Sequence, residues 1–376
     1  MFNMVQGRRD VLNMTVGQPD FDTPAYIKEA AKKAIDDGIT KYTHNAGLIE
    51  VREAMARKLK RENSIDADPE TEIMMTAGGM GSLVLANLVL VNPGDEVIYP
   101  DPGFVSHHAH VLLAGGRPVP VPLRRENKFS MMAEDVERVI TDKTRLLVIN
   151  SPNNPTGGVT QRKEMERIAE LAIEHDFYIL ADEAYEKFRY DDERPTYMGS
   201  LSGMKERCIS LFSFSKSYSM TGWRIGFCTG PRDVIAAMVK LQEHVLSMPT
   251  SISQKAAEAA VEGPQDSVKM MIDTFRRRRD IITRGLNSIE GVYLDPPAGA
   301  FYVFPDVREF GMKSYDLAVE ILKQTGVVLV HGSGFGSYGE GFVRLCYAVS
   351  TEVIEEAISR LDAFLPRLLR RQGHPT

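Results

Sequence analysis

Cysteine is scarce in this sequence, which contains only Cys208, Cys228 and Cys346 among its 376 residues. These three stand far apart and form no C-x-x-C pair, so the pattern favours reduced, buried thiols over a disulfide framework or a zinc site. Long apolar runs are also missing. No stretch approaches the about 18 consecutive apolar residues of a membrane-spanning helix, and the N-terminus lacks the apolar core of a signal peptide. We therefore expect a cytoplasmic protein that does not enter a membrane.

An excess of positive charge is absent as well. The formal net charge is −6, so no general basic field attracts nucleic acid or an anionic membrane, and a small-molecule partner is favoured. What the sequence does contain is 43% hydrophobic and 26% charged residues, the composition of a globular protein with a large core. The length exceeds that of one typical domain and indicates two.

Short apolar runs alternate with helical patterns from about residue 70 onward, as in an α/β sheet. Most of these runs are apolar on successive residues, which is typical of strands buried on both faces in a largely parallel sheet between helices. The sequence therefore predicts a large three-layer α/β/α domain. Its strands are expected in EIMMTA, DEVIYP, RPVPVPL, RLLVINS, FYILADEAY, CISLFSFS and GWRIGFCTG.

A different pattern follows Pro231, where the chain becomes helical to about Ile289. The run RRRRD (Arg276 to Asp280) inside this stretch is interpreted as a solvated helix face. Short strands in GAFYVFPD, GVVLVHG and GFVRLCYA then alternate with helices and predict a smaller α+β domain, onto which the N-terminal segment packs. The expected division is an N-terminal segment 1–41, a large α/β domain 42–280 and a small domain 281–376.

Two motifs resemble binding sites but fail in their context. HGSGFG (His331 to Gly336) has spaced glycines after an apolar strand, yet no helix start follows, so a tight loop is favoured over a dinucleotide site. HHAH (His107, His108 and His110) has no carboxylate or cysteine at ligand spacing. We interpret these histidines as surface or satisfied side chains and expect no metal.

Polar residues follow the ends of several predicted strands. The carboxyl ends of parallel strands meet at one edge of a sheet, where α/β proteins bind ligands, so folding brings these residues to one cleft. Each motif alone also fits a simple turn or a cap. Together they supply an amine nucleophile, a carboxylate, donors to a ring oxygen, and a hydroxyl and guanidinium for an anion, the groups that a pyridine aldehyde phosphate requires. The residues are Asn154, Asp182, Tyr185, Ser213, Lys216 and Arg224.

The motifs together resemble the class I aminotransferases of fold type I, the aspartate and aromatic aminotransferase group. The resemblance runs from about residue 11 to the C-terminus. It implies a pyridoxal-phosphate enzyme that transfers the amino group of an α-amino acid (aspartate, glutamate or aromatic) to a 2-oxo acid in a ping-pong reaction, and a homodimer with shared active sites. The matching motifs are GQPDFDTP, KYTHNAGLIEVREA, PNNPTGG, DEAYE, SFSKSYSMTGWRIGF and FVRLCYA.

The resemblance also implies roles for the catalytic residues. Lys216 resembles the lysine that forms a Schiff base with the cofactor and then moves the proton of the substrate α-carbon. Asp182 matches the partner of the pyridinium nitrogen, which keeps that nitrogen protonated. Asn154 and Tyr185 match the donors to the phenolate oxygen of the ring.

The resemblance implies that the remaining residues contact the cofactor or the substrate. Phe104 matches the aromatic side chain stacked on the cofactor. Arg344 matches the arginine that binds the substrate α-carboxylate as a fork; the alternative for Arg344 is an ion pair with an internal acid. Gly17 lies in the substrate-side loop, and Asn154 also faces the substrate. The phosphate ligands are expected to be Ser213, Arg224, the backbone amides of Gly79 and Met80, and Tyr42 from the partner subunit, where Tyr42 can also be a core or interface aromatic.

Two departures from the family pattern leave the substrate open. An aspartate-type branch has a lysine where this chain has Met80, which favours an apolar or aromatic side chain over aspartate. Only sixteen residues precede Gly17, where relatives carry a closing segment. A β-eliminating lyase of the same fold is the alternative function. A cofactor-sensing transcription regulator would need a DNA-binding extension, for which we expect no room.

Overall fold

A seven-stranded sheet forms the centre of the computed structural model, which describes residues 11–190 and 195–371. The first ten residues of the predicted N-terminal segment therefore lie outside the described residues. The sheet has the order β2-β8-β7-β6-β5-β3-β4. The strands of this part of the chain are β1 (Leu12–Asn13), β2 (Ile73–Thr76), β3 (Glu96–Asp101), β4 (Arg117–Pro122), β5 (Thr144–Asn150), β6 (Tyr178–Asp182), β7 (Cys208–Ser213) and β8 (Gly226–Thr229).

One strand of the sheet, β8, runs against all the others. It pairs antiparallel with both β2 and β7, whereas β7, β6, β5, β3 and β4 pair in parallel. The register places Asn150 opposite Asp182 at the carboxyl ends of β5 and β6. It also places Ser213, the last residue of β7, opposite Gly226, the first of β8. The connection from β7 to β8 is therefore a hairpin that returns at the same edge of the sheet.

Helices cover both faces of the sheet. Leu147 and Ile149 of β5 belong to the core on one face, whereas Leu146 and Val148 belong to the core on the other. This alternation explains why successive residues are apolar and confirms the predicted α/β architecture with a mostly parallel sheet. The helices up to the end of the long helical stretch are α1 (Ala25–Asp36), α2 (Ile49–Lys58), α3 (Gly78–Leu90), α4 (Val105–Leu113), α5 (Ala133–Glu137), α6 (Arg162–Glu174), α7 (Phe214–Ser217), α8 (Arg232–Val245), α9 (Ser251–Glu262) and α10 (Asp266–Asn287).

A second, three-stranded antiparallel sheet lies in the C-terminal part in the order β11-β12-β9. The N-terminal strand β1 pairs in parallel with β10, and Met14 joins the core that includes Phe275 and Leu345. Because α10 crosses residue 280, the boundary between large and small domains stays a prediction. The elements are β9 (Tyr302–Val303), α11 (Ser314–Thr325), β10 (Val327–Val328), β11 (Val330–His331), β12 (Val343–Cys346) and α12 (Thr351–Arg371).

The arginine run in α10 is only partly the solvated face that we expected. Arg278 is buried and donates to both carboxylate oxygens of Asp20, at 2.7 and 2.8 Å, while Arg279 packs over the ring of Tyr190. The interpretation was wrong for these two residues. Arg278 is covered by the substrate-side loop that carries Asp20, and Arg279 by the ring of Tyr190, and a charge run reveals neither contact.

The cysteines and the glycine-rich loop have the local structure that the sequence predicts. All three cysteines are free and buried, as predicted. The glycine-rich loop after β11 forms two tight turns, Gly332–Phe335 and Ser337–Gly339, and its His331 contacts Ser333. In the part of the chain that is described, no helix is long and apolar enough to cross a bilayer.

A buried ion pair under the sheet yields a first prediction. Lys58 is 2% exposed, pairs with Glu186, donates to Asn63 at 2.8 Å and lies 4.3 Å from the ring centre of Phe212. Lys58→Ala leaves a buried carboxylate without its partner. We therefore expect the free energy of unfolding to fall by about 3–5 kcal/mol, measured by urea denaturation.

The matched control is Lys60→Ala on the same segment. The Lys60 side chain is 76% exposed, and within the described residues its one ion pair is with the exposed Asp66. We expect its effect to stay within about 0.5 kcal/mol. Equal effects of the two substitutions would show that the buried pair does not stabilise the fold.

Candidate active site

A cavity of 340 Å³ opens at the edge of the main sheet where the parallel strands end. Only Tyr42 among the predicted site residues is not part of its lining; it is 88% exposed on the surface of its own chain. The structure thus brings together residues that the sequence places more than 300 positions apart. The predicted residues lining the cavity are Gly17, Gly79, Met80, Phe104, Asn154, Asp182, Tyr185, Ser213, Lys216, Arg224 and Arg344.

Lys216 lies on α7, the short helix that begins directly after β7. Ser213 caps this helix by accepting a hydrogen bond from the Ser215 backbone N–H at 3.3 Å. The Lys216 amine points into the cavity and donates to the Gly17 carbonyl oxygen. Burial, reinforced by the nearby Arg224 and Arg344, lowers the pKa of Lys216 to about 8. A lysine with such a pKa supplies neutral amine near physiological pH and can act as a nucleophile or base.

Asp182 is the last residue of β6 and is buried. Its Oδ1 accepts from the Ala184 backbone N–H at 3.1 Å, its Oδ2 lies 3.1 Å from His107 Nε2, and its backbone carbonyl accepts from Asn150. The carboxylate is therefore fixed at the floor of the cavity. Sequence reasoning missed the contact with His107, because the HHAH motif does not show which face of α4 meets the sheet.

A site for an anion lies where β2 passes into α3. This helix begins at Gly78 and has no side-chain cap, so its first backbone N–H groups are free to bind a ligand. Arg224, held at a left-handed φ of 50°, turns its guanidinium toward Gly78, where an added Cβ would lie 2.9 Å from Nη2. An uncapped helix start beside a guanidinium is suited to a phosphate.

Arg344 is a buried cation on β12, 8% exposed. Its Nη1 donates to Asn154 Oδ1 at 2.8 Å and its Nη2 to the Thr15 carbonyl at 2.6 Å, while Nε has no partner. None of the ion pairs among residues 11–190 and 195–371 involves it, so pairing with an internal acid is not found there. A buried guanidinium without a counter-charge is suited to a carboxylate ligand.

Tyr185 contacts a residue that the sequence did not single out. Its hydroxyl oxygen lies 2.8 Å from that of Tyr302, and burial raises the pKa of Tyr185 well above its usual value. Tyr302 comes from β9, and the signal for it was only an aromatic residue in the strand motif GAFYVFPD. Its place follows from the packing of β9 beside the segment after β6, where Tyr302 and Tyr185 belong to the same core.

These groups fit pyridoxal phosphate. The uncapped start of α3 with Arg224 and Ser213 suits its phosphate, Asp182 suits its ring nitrogen, and the Lys216 amine suits its aldehyde. The Phe104 side chain also lines the cavity, 5.6 Å from the His107 ring in an edge-to-face contact.

No group of three or more histidine, cysteine, aspartate or glutamate side chains in the described ranges is placed to hold a metal ion. The histidines of HHAH have other contacts. His108 lies 3.2 Å from the Tyr99 hydroxyl, and burial lowers the pKa of His110. His107, as described, faces Asp182.

Comparison with known proteins gives a consistent result. The family model "Aminotransferase class I and II" matches residues 9–361. The chain is 43% identical to the aromatic-amino-acid aminotransferase 2 of Thermococcus litoralis and 42% identical to an aspartate aminotransferase of Pyrococcus abyssi, in both cases over 97% of this chain and 94% of the relative. The crystal structure of an aromatic aminotransferase from Pyrococcus horikoshii superposes with a TM-score of 0.94 at 43% identity, covering 98% of this chain and 99% of that one.

Proposed function

The chain belongs to the class I and II aminotransferases, and on this premise we propose roles for its site residues, a donor class and a dimeric assembly. The membership confirms the activity and the pyridoxal-phosphate cofactor expected from the sequence. When bound, this cofactor stabilises the negative charge that develops at the substrate α-carbon. The observation that carries the proposed roles is one buried amine, Lys216, in a cavity with one carboxylate and two guanidinium groups.

Lys216 is the proposed covalent anchor of the cofactor and the base that takes the α-proton from the substrate. Its amine lies inside the cavity, its pKa is near 8, and the Gly17 carbonyl orients it from the substrate side. An amine with a pKa close to the working pH can accept and return a proton with similar ease. The same nitrogen can therefore serve both directions of the amino-group exchange.

Asp182 is proposed to hold the proton on the cofactor's ring nitrogen, since it is a buried carboxylate fixed by His107 and the Ala184 amide. Asn154 and Tyr185 are proposed as donors to the ring oxygen. Because Asn154 Oδ1 accepts from Arg344, its amide NH₂ is left to donate. The two donors then stabilise negative charge on that oxygen.

Arg344 is proposed to bind the α-carboxylate of both the amino-acid donor and the 2-oxo acid. Its Nη atoms are held by Asn154 and Thr15, so the planar fork has a fixed orientation. A carboxylate bound there supplies the counter-charge that the buried guanidinium lacks in the described residues. The geometry favours recognition of the group that all α-amino acids share.

Arg344→Lys provides a test of this role. The substitution keeps the charge but removes the fork, so one charge-assisted hydrogen bond to the substrate is lost, about 1.5–3 kcal/mol. We expect KM for the amino acid to rise about 10- to 150-fold, with a smaller fall in kcat. Arg162→Lys, a control on the exposed face of α6, is expected to leave KM unchanged, and an unchanged KM in Arg344→Lys would exclude the role.

An aromatic amino acid is the donor that we rank ahead of aspartate and glutamate. Met80, Leu83 and Tyr302 line the cavity with apolar or aromatic surface. The three lining cations of the described chain, Lys216, Arg224 and Arg344, all have other proposed partners. The relatives at 43% and 42% identity are named for aromatic amino acids and for aspartate, respectively, and both classes belong in the test.

The test is a half-reaction without any 2-oxo acid. Purified holoenzyme is mixed with one amino acid at a time, and the visible band of bound pyridoxal phosphate is followed while the new 2-oxo acid is quantified. We expect loss of the band and one 2-oxo acid per site, fastest with phenylalanine or tyrosine. Fastest reaction with aspartate would overturn the ranking, and pyruvate with ammonia at a persistent band would indicate the lyase instead.

A homodimer with shared sites is part of the proposal, supported by the position of Tyr42. Its side chain is 88% exposed and contributes nothing to its own cavity, which is expected of a ligand to the partner's phosphate. Sedimentation equilibrium is expected to give twice the mass of the chain, and Tyr42→Phe is expected to weaken cofactor binding.

A cytoplasmic location completes the proposal. It is supported by the free thiols, and activity that sediments with membranes would contradict it.

A further inference from the structure

Tyr302 lies between Tyr185 and Arg344 in the site, and the family motifs assign it no role. It is 1% exposed, and its hydroxyl oxygen lies 2.8 Å from that of Tyr185. The face of its ring lies 4.5 Å from the guanidinium carbon of Arg344. One side chain therefore touches both the proposed donor to the cofactor and the proposed carboxylate fork.

The hydrogen bond between the two tyrosines has only one direction that is compatible with the proposed role of Tyr185. A phenol carries one proton. If Tyr185 donates its proton to the ring oxygen of the cofactor, its own oxygen must accept the proton of Tyr302. A hydrogen bond accepted by a donor polarises it and strengthens the bond that it donates.

We propose that Tyr302 is a positioning residue with two separable effects, an inference that rests on the proposed function. Its hydroxyl donates to Tyr185 and strengthens the hydrogen bond of Tyr185 to the cofactor's ring oxygen. Its ring holds the plane of the Arg344 guanidinium for the substrate carboxylate. Both phenols keep their protons at working pH, because burial raises the pKa of Tyr302 and of Tyr185.

Gly17 supports the position of the Tyr302 hydroxyl independently. A Cβ added at Gly17 would lie 2.0 Å from the Tyr302 hydroxyl oxygen and 3.0 Å from the ring carbon that carries it. A side chain at position 17 would therefore push Tyr302 away from Tyr185. The close approach of this hydroxyl explains why position 17 of the substrate-side loop is a glycine.

Two aromatic rings contact the Arg344 guanidinium. Its central carbon is 4.5 Å from the ring centre of Tyr302 and 4.7 Å from that of Phe335. Attraction between the cation and both ring faces complements the hydrogen bonds to Asn154 and Thr15. The rings fix the plane of the guanidinium while the hydrogen bonds fix its rotation within that plane.

The test compares holoenzyme carrying Tyr302→Phe with holoenzyme carrying Tyr302→Leu. The readouts are the pH at which the visible band of the bound cofactor titrates and the Kd for 3-phenylpropanoate, an unreactive carboxylate. For Tyr302→Phe we expect the titration midpoint to move upward, kcat to fall about 2- to 10-fold, and Kd to stay within twofold. For Tyr302→Leu we expect the same upward shift and a Kd raised about 2- to 30-fold.

A further variant keeps the proposal testable if Tyr302→Leu does not fold. Phe335→Leu removes the second ring and leaves the hydroxyl pair intact, so Kd is expected to rise without a change in the titration midpoint. An unchanged midpoint in Tyr302→Phe would overturn the hydroxyl effect. A Kd unchanged in both leucine variants would overturn the effect of the ring. Failure of the wild-type holoenzyme to react with any amino acid would instead reject the proposed function.

Discussion

Lys216→Ala is expected to lower kcat for amino-group transfer by about 10⁴-fold or more, because the substitution removes the proposed nucleophile, which is also the proposed base. No other lysine lines the cavity in the described chain, so no neighbouring amine takes its place. The measurement is the half-reaction with the best donor, together with the mass of the borohydride-treated protein. The wild type is expected to retain the cofactor covalently after this treatment, and the variant is not.

Controls separate this loss from unfolding. Lys323→Ala, an exposed position on α11, is expected to keep full activity and the covalent cofactor. Circular dichroism and sedimentation of Lys216→Ala are expected to match the wild type. Turnover retained by Lys216→Ala would contradict the assignment of Lys216 as anchor and base.

The lysine also makes the stability of the apoprotein depend on pH. Burial lowers the pKa of Lys216 from 10.5 to about 8, so between these values the unfolded chain binds the proton that the folded chain has released. The free energy of unfolding therefore rises with pH through this window, and below pH 8 the buried charge opposes folding in full. Lys216→Ala should reduce the slope between pH 8 and 10.5, because it removes the group that titrates in this window.

Asp182→Asn is expected to reduce kcat by about 10²- to 10³-fold, the effect of losing one preorganised electrostatic partner of a developing charge. The change preserves size and the acceptor for the Ala184 amide, but it removes the only carboxylate that lines the cavity in the described residues. With the proposed role of Asp182, a proton on the cofactor's ring nitrogen would then lack its counter-charge. Steady-state kinetics and the absorption spectrum of the holoenzyme measure the result.

The matched control is Asp135→Asn. Asp135 is also a buried carboxylate, but it pairs with Arg124 and Arg138 away from the cavity. We expect this control to reduce stability and to leave kcat within about twofold. If both substitutions lowered kcat equally, the loss would reflect damage to the fold and not the chemistry of Asp182.

The sequence was informative where a residue's position follows from the sheet itself. Asn154, Asp182 and Lys216 follow the ends of parallel strands, and parallel strands share one edge, so the spacing of motifs was sufficient to bring them together. The register of Asn150 opposite Asp182 shows this directly. No sequence pattern placed Arg344 or Gly17 at this edge of the sheet. Only the family resemblance assigned these two residues to the site.

The remaining contacts depend on packing that no local pattern shows. His107 meets Asp182 because one face of α4 lies on the sheet, and Tyr302 meets Tyr185 because β9 packs beside the segment that follows β6. Arg278 is buried and not on the predicted solvated face, because Asp20 lies against α10. Each contact joins segments distant in sequence, and a single charge or aromatic residue carries no signal for its partner.

The reversed strand β8 has a consequence for the order in which the site assembles during folding. Because β7 and β8 are neighbours joined by a hairpin, Ser213, Lys216 and Arg224 come together when one short loop closes. The contact of Thr15 with Arg344 closes a loop of 329 residues, and the entropy lost in closure grows with loop length. Ser213, Arg224 and the amine of Lys216 are therefore expected to come together early in refolding, before Arg344 reaches the position of the proposed carboxylate fork.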